Sequence, residues 1–502
     1  MTVASDASAV TPEASEADDP EVMEPSLVGL SFEATDLADP RWDPEAGDLD
    51  EVLGELGSPG LRFGGNALDR RVFWTSEGEE APDTSYTVVT PDDLERVARM
   101  AEDLGSEVTL GIPLGDFDPE RGADMAAHAV EAFGDRLIGL SIGNEPNGYT
   151  EDHREGLRIR DDSWDESKYV TQVTDYVEAI EAAVEPEDDV PIVGPGAFDG
   201  AWMDAFLDAD LPGTVALTQH WYATYDCEAT EIPGRGPEPE NLVDPVVHDA
   251  ATNLLGVGLG KAEDADLPLW VEESGSTSCI GDTAASRTHA TALWTVDYVL
   301  HAAEMGVSRL GMHSMLGSCE SGADMSVVCS DESDSVEGRV NHHALRLAAA
   351  SVGGEFLETS VWDGAEHAAA ENATPQMTGF GGMYAYAVRG ADRVPDDALT
   401  VTVVNMNDSE EAGGSRTTID VPEGYVAQEA AQVAGPSIEA VEETEYTDFG
   451  WLKGASASEG STAGGSSGTD SSHESGVVSN VDGELVIDLA AATATTIVFE
   501  RE

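Results

Sequence analysis

The chain has 502 residues, enough for one large domain and a smaller one, and carries 100 acidic against 23 basic residues, a formal net charge of −77. That charge argues against nucleic acid or an anionic membrane surface as a partner, since both need lysine and arginine to neutralise phosphates, and no run of about 18 apolar residues offers a membrane span. The acids are spread along a chain that is 41% hydrophobic. They therefore read as a surface adapted to high salt rather than as disorder, because the Debye length falls from about 10 Å at 0.1 M to about 3 Å at 1 M.

In chain order, residues 1–25 are rich in Ala, Ser, Thr, Glu and Asp, without a basic start or an apolar stretch. They are expected to form a disordered acidic leader with no visible signal peptide, and localisation is left open, an extracellular site being compatible with an upstream start. From residue 26 to 352, strand-like apolar runs alternate with helical patterns. The expected strands are Leu27–Phe32, Leu61–Phe63, Glu107–Leu110, Leu137–Ile142, Val190–Val193, Val215–Thr218, Leu267–Val271 and Val307–Met312. The expected helices include Asp92–Leu104, opened by the cap Thr90-Pro91, then Met125–Phe133, Tyr169–Val184, Leu242–Leu254, Ser286–Met305 and His342–Ser351. Eight strands in this order predict an α/β fold, a (β/α)8 TIM barrel. Residues 353–502 change to short alternating segments between Gly, Asn and Asp turns, which predict a C-terminal β-sandwich. Within it, Ser456–Gly476 is nearly all small and polar and is expected to be a flexible loop.

Two of the expected strands end in carboxylates. Gly139-Leu140-Ser141-Ile142-Gly143 leads into Asn144-Glu145-Pro146, and Leu267-Pro268-Leu269-Trp270-Val271 leads into Glu272-Glu273-Ser274. A parallel barrel brings its strand ends together at one face, and a pair of acids across one sugar ring is what glycosidic cleavage needs. Glu145 and Glu273 are the expected catalytic pair, with Glu272 the alternative nucleophile. Neighbouring residues on a strand point to opposite faces, so only one of Glu272 and Glu273 is expected to face a sugar. Asn144 is placed to bond a sugar 2-hydroxyl, and Gln219-His220-Trp221-Tyr222 closes the sixth strand with a donor, an aromatic wall and a phenol that can orient the nucleophile.

These motifs resemble glycoside hydrolase family 79, the family of heparanases and β-glucuronidases. Leu61-Arg62-Phe63-Gly64-Gly65-Asn66, followed by Asp69, is similar to its second-strand Arg-x-Gly-Gly motif, Asn144-Glu145-Pro146 to its acid/base motif, and Trp270-Val271-Glu272-Glu273-Ser274 to its nucleophile segment. The resemblance implies an acidic, haloarchaeal-type retaining β-glucuronidase with Glu145 as acid/base and Glu273 as nucleophile. It also implies that Glu33 and Asn66 contact hydroxyls in the −1 subsite, where Arg62, Asn144, His220 and Tyr222 are expected to join them in binding substrate. Glu272 stands where the family often has glycine. The family's Tyr-Gly-Gly-like turn after the nucleophile is replaced by Ser276-Thr277-Ser278-Cys279-Ile280-Gly281. That departure admits a neutral sugar, as in an arabinofuranosidase or β-xylosidase.

No cofactor is implied, and no metal, since His220 and His313 lack the helical pairing of a zincin. The rival from another class is a non-catalytic carbohydrate-binding surface protein whose sandwich is the working part. Cys227, Cys279, Cys319 and Cys329 all follow expected strands six to eight, so either disulfides staple loops on one face or these are unrelated thiols. The carbohydrate is the expected partner, and the oligomeric state is not readable.

Overall fold

Short apolar runs bounded by turn residues become the parallel strands of a closed barrel: β1 (Gly29–Glu33), β2 (Leu61–Gly64), β3 (Val108–Ile112), β4 (Leu137–Ile142), β5 (Ile192–Ala197), β6 (Thr214–Thr224), β7 (Leu269–Thr277) and β8 (Arg309–Ser314). The structure is a computed structural model and describes residues 8–13, 21–152, 156–184, 190–227, 235–279, 284–320, 325–331, 335–363, 379–380, 382–407, 415–419, 421–422, 424–451, 478–481 and 484–501. The expected flexible loop at 456–476 lies outside the described residues.

Helices follow the strands in turn: α1 (Leu49–Gly54), α2 (Pro91–Leu104), α3 (Pro119–Phe133), α4 (Glu166–Ala183), α5 (Gly200–Asp208), α6 (Pro245–Asp264), α7 (His289–Glu304) and α8 (Val340–Ala348). Thr90 and Asp93 form a reciprocal capping box at the start of α2, Pro91 occupies its first turn, and Gly105 ends it at φ +71°. Helices α1 and α5 escaped the sequence reading because six and nine residues are too few to establish an apolar period.

Strands β6 and β7 run well past their expected ends at Thr218 and Val271. Their last residues are polar because they face the barrel mouth, while their backbones continue the ladder: His220 pairs with Glu273, Trp221 with Ser274 and Tyr222 with Gly275. The polar motif therefore sits inside the strands rather than beyond them.

The C-terminal strands are β9 (Glu355–Asp363), β10 (Met383–Arg389), β11 (Leu399–Asn405), β12 (Ser415–Ile419), β13 (Tyr425–Ala434), β14 (Glu445–Trp451), β15 (Val478–Val481), β16 (Glu484–Leu489) and β17 (Thr493–Arg501). One antiparallel layer runs β14-β13-β17-β11-β10, and β9 joins it through Glu355–Leu357. The rest of β9 belongs to the second layer, with β12, β16 and β15. Val361 and Ile419 of the second layer pack with Met383, Ala385, Val401, Val403, Ile497 and Phe499 of the first, the interleaved core of a sandwich.

The leader departs from expectation. Residues Ser8–Glu13 form a strand between β9 and β12, antiparallel to the first and parallel to the second. Met23 is fully buried, and its N–H donates to Gly354 at 3.0 Å. Composition argued for disorder because the segment has little apolar surface of its own. A strand entering between two existing strands is held instead by backbone hydrogen bonds along both edges, a gain that composition does not report.

Candidate active site

Arg62 on β2 points into the barrel and is the hinge of the site. Its guanidinium donates to Ser31 Oγ at 2.8 Å, to Glu273 Oε2 at 2.7 Å and to Asn144 Oδ1 at 2.7 Å, so it ties β1, β7 and the end of β4 together. Asn144 Oδ1 also accepts from Gly65 N at 3.0 Å, which leaves its buried Nδ2 with no partner in the protein. The turn carrying Asn144 and Glu145 is held from below by Asp69, which is buried. Its carboxylate accepts from the N–H groups of Leu114, Gly115 and Asn144 and from the Tyr149 hydroxyl. Gly143 sits at φ +80°, and a Cβ there would fall 2.5 Å from that hydroxyl. Glu145 itself lies in the left-handed region at φ +49°, a strained backbone for a side chain, fixed by its N–H bond to Gly196 O at 3.0 Å.

Glu273 reaches the same space from β7. Besides Arg62, it accepts from the Tyr222 hydroxyl at 2.9 Å on its other oxygen. His220 Nδ1 stands between the two acids, 3.1 Å from Glu145 Oε1 and 3.9 Å from Glu273 Oε2. One carboxylate oxygen from each acid and a ring nitrogen of His220 all lie within 4.8 Å of one another. His313 at the end of β8 completes the wall, 3.8 Å from Glu273 Oε1 and 3.9 Å from Glu33 Oε1.

The simple alternation of strand side chains fails at Glu272. Val271 pairs with Leu310 and Ser274 with Met312, so Glu272 and Glu273 together stand opposite the single residue Gly311. This is a β-bulge, and it turns both consecutive glutamates into the barrel. Gly311 permits it, since a Cβ there would come within 2.6 Å of the Glu272 carbonyl oxygen. Glu272 is 1% exposed, and neither of its carboxylate oxygens has a hydrogen-bond partner.

Burial would raise the Glu273 carboxyl, but positive charge on His220 and His313 and on the Arg62 guanidinium outweighs it and holds the group below the usual carboxylate range. Burial pushes the Tyr222 phenol far above its ordinary value, and the Glu273 charge adds to this, so the phenol stays a donor. Burial also raises Glu33, with the negative charge of Glu273 reinforcing it against His313 and the Ala67 N–H.

Of the residues expected from the sequence, Glu33, Arg62, Asn144, Glu145, His220, Tyr222 and Glu273 meet in this cluster. Asn66 lies between Gly65 and Ala67, whose N–H groups donate to Asn144 and Glu33, and its own Oδ1 accepts from Arg70 at 3.0 Å. Ser31, Asp69 and His313 belong to the site's support without having been assigned to it, and a polar residue inside or just after an apolar run was the available signal. Glu145, His220 and Glu273 also have the spacing of a cation site. The Glu273 oxygens are already engaged by Arg62 and Tyr222, however, and a guanidinium at 2.7 Å opposes a second cation there. The cysteines pair as Cys227–Cys279, which joins the loop after β6 to that after β7, and Cys319–Cys329, which closes the loop after β8. No described helix is long and apolar enough to cross a membrane.

No protein-family model matches the sequence, and no curated protein matches it. Solved structures do match it over nearly its whole length. A 4-O-α-L-rhamnosyl-β-D-glucuronidase from Fusarium oxysporum has a TM-score of 0.66 at 15% identity, covering 97% of this chain and 99% of that one. The family 51 arabinofuranosidase from Xanthomonas axonopodis pv. citri has 0.65 at 13% identity, covering 99% and 100%. The family 44 endoglucanase from Clostridium thermocellum has 0.57 at 12% identity, also covering 99% and 100%. The likeness is one of fold, a TIM barrel with a β-sandwich.

Proposed function

We propose that the chain is a retaining glycoside hydrolase with Glu145 as acid/base and Glu273 as nucleophile. The observation that carries this reading is the approach of the two carboxylates, one oxygen of each lying within 4.8 Å. Retention uses carboxyl groups about 5–5.5 Å apart, whereas inversion needs about 6.5–9.5 Å to seat a water. In the first step a Glu273 oxygen bonds to the anomeric carbon as the bond to the leaving oxygen breaks, and Glu145 gives that oxygen its proton. In the second, Glu145 takes a proton from water, the water oxygen bonds to the same carbon, and Glu273 leaves as carboxylate. Arg62 and Tyr222 keep the nucleophile ionised and aimed, and Asn144 has its Nδ2 left to donate to the sugar's 2-hydroxyl. The fold likeness to three glycosidases supports the reaction class.

The −1 sugar in this reading is neutral. Glu33, Glu145 and Glu273 line the pocket, and the arginine that reaches them is spent on Ser31, Glu273 and Asn144. A uronic carboxylate would meet the like charge of these acids, with Arg62 committed and only the His220 and His313 imidazoles beside Glu273 to offset it. A glucuronide is the second reading, favoured by the likeness to the Fusarium enzyme. The test is a panel of 4-nitrophenyl α-L-arabinofuranoside, β-xyloside, β-glucoside and β-glucuronide in molar KCl. The same panel is applied to Glu273→Gly with and without azide. Turnover of a neutral glycoside, its loss in the variant and its return with azide are expected. A protein that turns over none of the four, or a Glu273→Gly variant that keeps full activity, overturns the proposal.

A further inference from the structure

Glu272 has no place in the two-step reaction, yet the bulge brings it inside the barrel beside the nucleophile. Its surroundings are cationic. Arg62 on β2 and Arg309 on β8, 2% and 4% exposed, each carry a guanidinium within reach of its charge. Arg309 is itself anchored at the barrel floor, donating to the carbonyls of Leu61 and Glu107 at 3.2 and 3.3 Å and lying 5.8 Å from the Trp270 ring centroid. Arg309 also has Glu107 Oε2 at 3.4 Å, so the balance at Arg62 is one guanidinium against two consecutive glutamates. An unpartnered carboxylate is costly in such a place, and barrel interiors are ordinarily filled by apolar branched side chains.

The balance matters because the reaction disturbs it. When Glu273 bonds to the anomeric carbon it becomes an ester and its negative charge disappears. Arg62, 3% exposed and unable to give up its proton, then loses its ion partner. We infer that Glu272 is a positioning residue that supplies Arg62 with a standing counter-charge throughout the glycosyl-enzyme intermediate. Its lack of a hydrogen bond suits that role: it acts by charge through Arg62 and does not compete with Glu273 for the guanidinium's donors. The bulge is then the device that lets one strand deliver two adjacent carboxylates, one to the sugar and one beneath the arginine.

The inference rests on the retaining reading, which azide rescue of Glu273→Gly tests separately. The experiment compares wild type, Glu272→Gln and Glu272→Asp on the 4-nitrophenyl glycoside that wild type turns over fastest, with its 2,4-dinitrophenyl analogue for pre-steady-state work. Glu272→Gln is expected to lower kcat/KM between 10- and 100-fold and to abolish the burst that reports accumulated glycosyl-enzyme. The acid limb of its pH profile should move to lower pH. Glu273 faces Arg62, His220, Tyr222, His313, Glu145 and Glu33 from the other strands, and removing one negative neighbour leaves the cations less opposed. Glu272→Asp, which keeps the charge, should restore the burst. If Glu272→Gln folds and shows the wild-type burst and acid limb while azide rescue succeeds, the inference fails and the retaining reading stands. If Glu272→Gln does not fold, Glu272→Asp decides the matter: a retained burst supports the inference, and a lost burst overturns it.

Discussion

Replacing Arg62 by methionine keeps most of the side chain's volume and removes its charge and all three of its hydrogen bonds. The Arg62–Glu273 pair is 2.7 Å long and each side chain is 3% exposed, so no solvent takes the guanidinium's place. Breaking a buried pair from one side costs about 3–5 kcal/mol, most of it the penalty of leaving the other charge uncompensated. The pH dependence has a defined sign. Glu273 is depressed in the folded protein, so the stability it confers is present above the unfolded carboxylate pKa of about 4.3 and is lost as pH falls toward the depressed folded value. Urea unfolding in molar KCl should therefore show the full deficit of Arg62→Met at pH 7 and a smaller one below pH 4. In a double-mutant cycle with Glu273→Gln, the two changes should couple by about 1–3 kcal/mol, because the glutamine no longer needs the cation. A deficit under about 1 kcal/mol at pH 7, or one that is the same in the Glu273→Gln background, would refute the claim that this pair organises the site.

Tyr222→Phe removes one hydrogen bond of 2.9 Å to an ionised acceptor, worth about 1.5–3 kcal/mol, so kcat/KM should fall about 10- to 100-fold with little change in melting temperature. Cys227→Ser with Cys279→Ser opens a cross-link of sequence separation 52. Chain-entropy arguments put its loss at about 3–5 kcal/mol, and thermal unfolding with and without reductant checks it. Burial pushes the Glu304 carboxyl up to about 8. Between its unfolded value and pH 8 the unfolded chain is ionised while the folded one keeps its proton, so wild-type stability declines through that window. Glu304→Gln should gain on wild type from about pH 5 and level off above pH 8 in melting curves.

The barrel was legible because each strand is a short apolar run, and both acids were legible because such runs end on them. Arg62 was legible for the same reason, as an arginine alone among Leu61, Phe63 and Gly64. The bulge was not. Strict alternation puts Glu272 and Glu273 on opposite faces, and what overrides it is Gly311, 38 positions further on and a neighbour only after the barrel closes. The strand at Ser8–Glu13 was hidden likewise, since its partners lie hundreds of residues away at Glu358–Asp363 and Thr417–Ile419 and nothing local foretells them. The disulfide pairing stayed open because four cysteines allow three connectivities, and only the adjacency of β6 and β7 selects Cys227–Cys279.

The sandwich bears on the candidate site through α7, the one barrel helix among the described residues that is buried on every side, from His289 to Ala303. Its outer contacts are with the C-terminal domain: His289 Nε2 lies 2.7 Å from Ala492 O, and the Tyr386 hydroxyl donates to Asp297 at 2.6 Å. Its inner contacts are with β6. Trp221, between His220 and Tyr222, packs against Tyr298 at 5.0 Å and Trp294 at 6.2 Å, and its carbonyl accepts from Ser274 Oγ at 2.7 Å. The residue after Glu273 is thus fixed to β6, and β6 is pressed inward by a helix whose back the sandwich covers. A bulge in a free strand would relax, whereas one clamped between a closed barrel and a packed helix cannot, because close-packed interiors transmit displacement instead of absorbing it. The C-terminal domain therefore acts as the rigid backing that a site held to fractions of an ångström requires. That role needs no sugar bound on the sandwich, and it explains why the two domains share one apolar core, with Tyr386 and Val404 of the sandwich in the same cluster as Trp294 and Leu310 of the barrel.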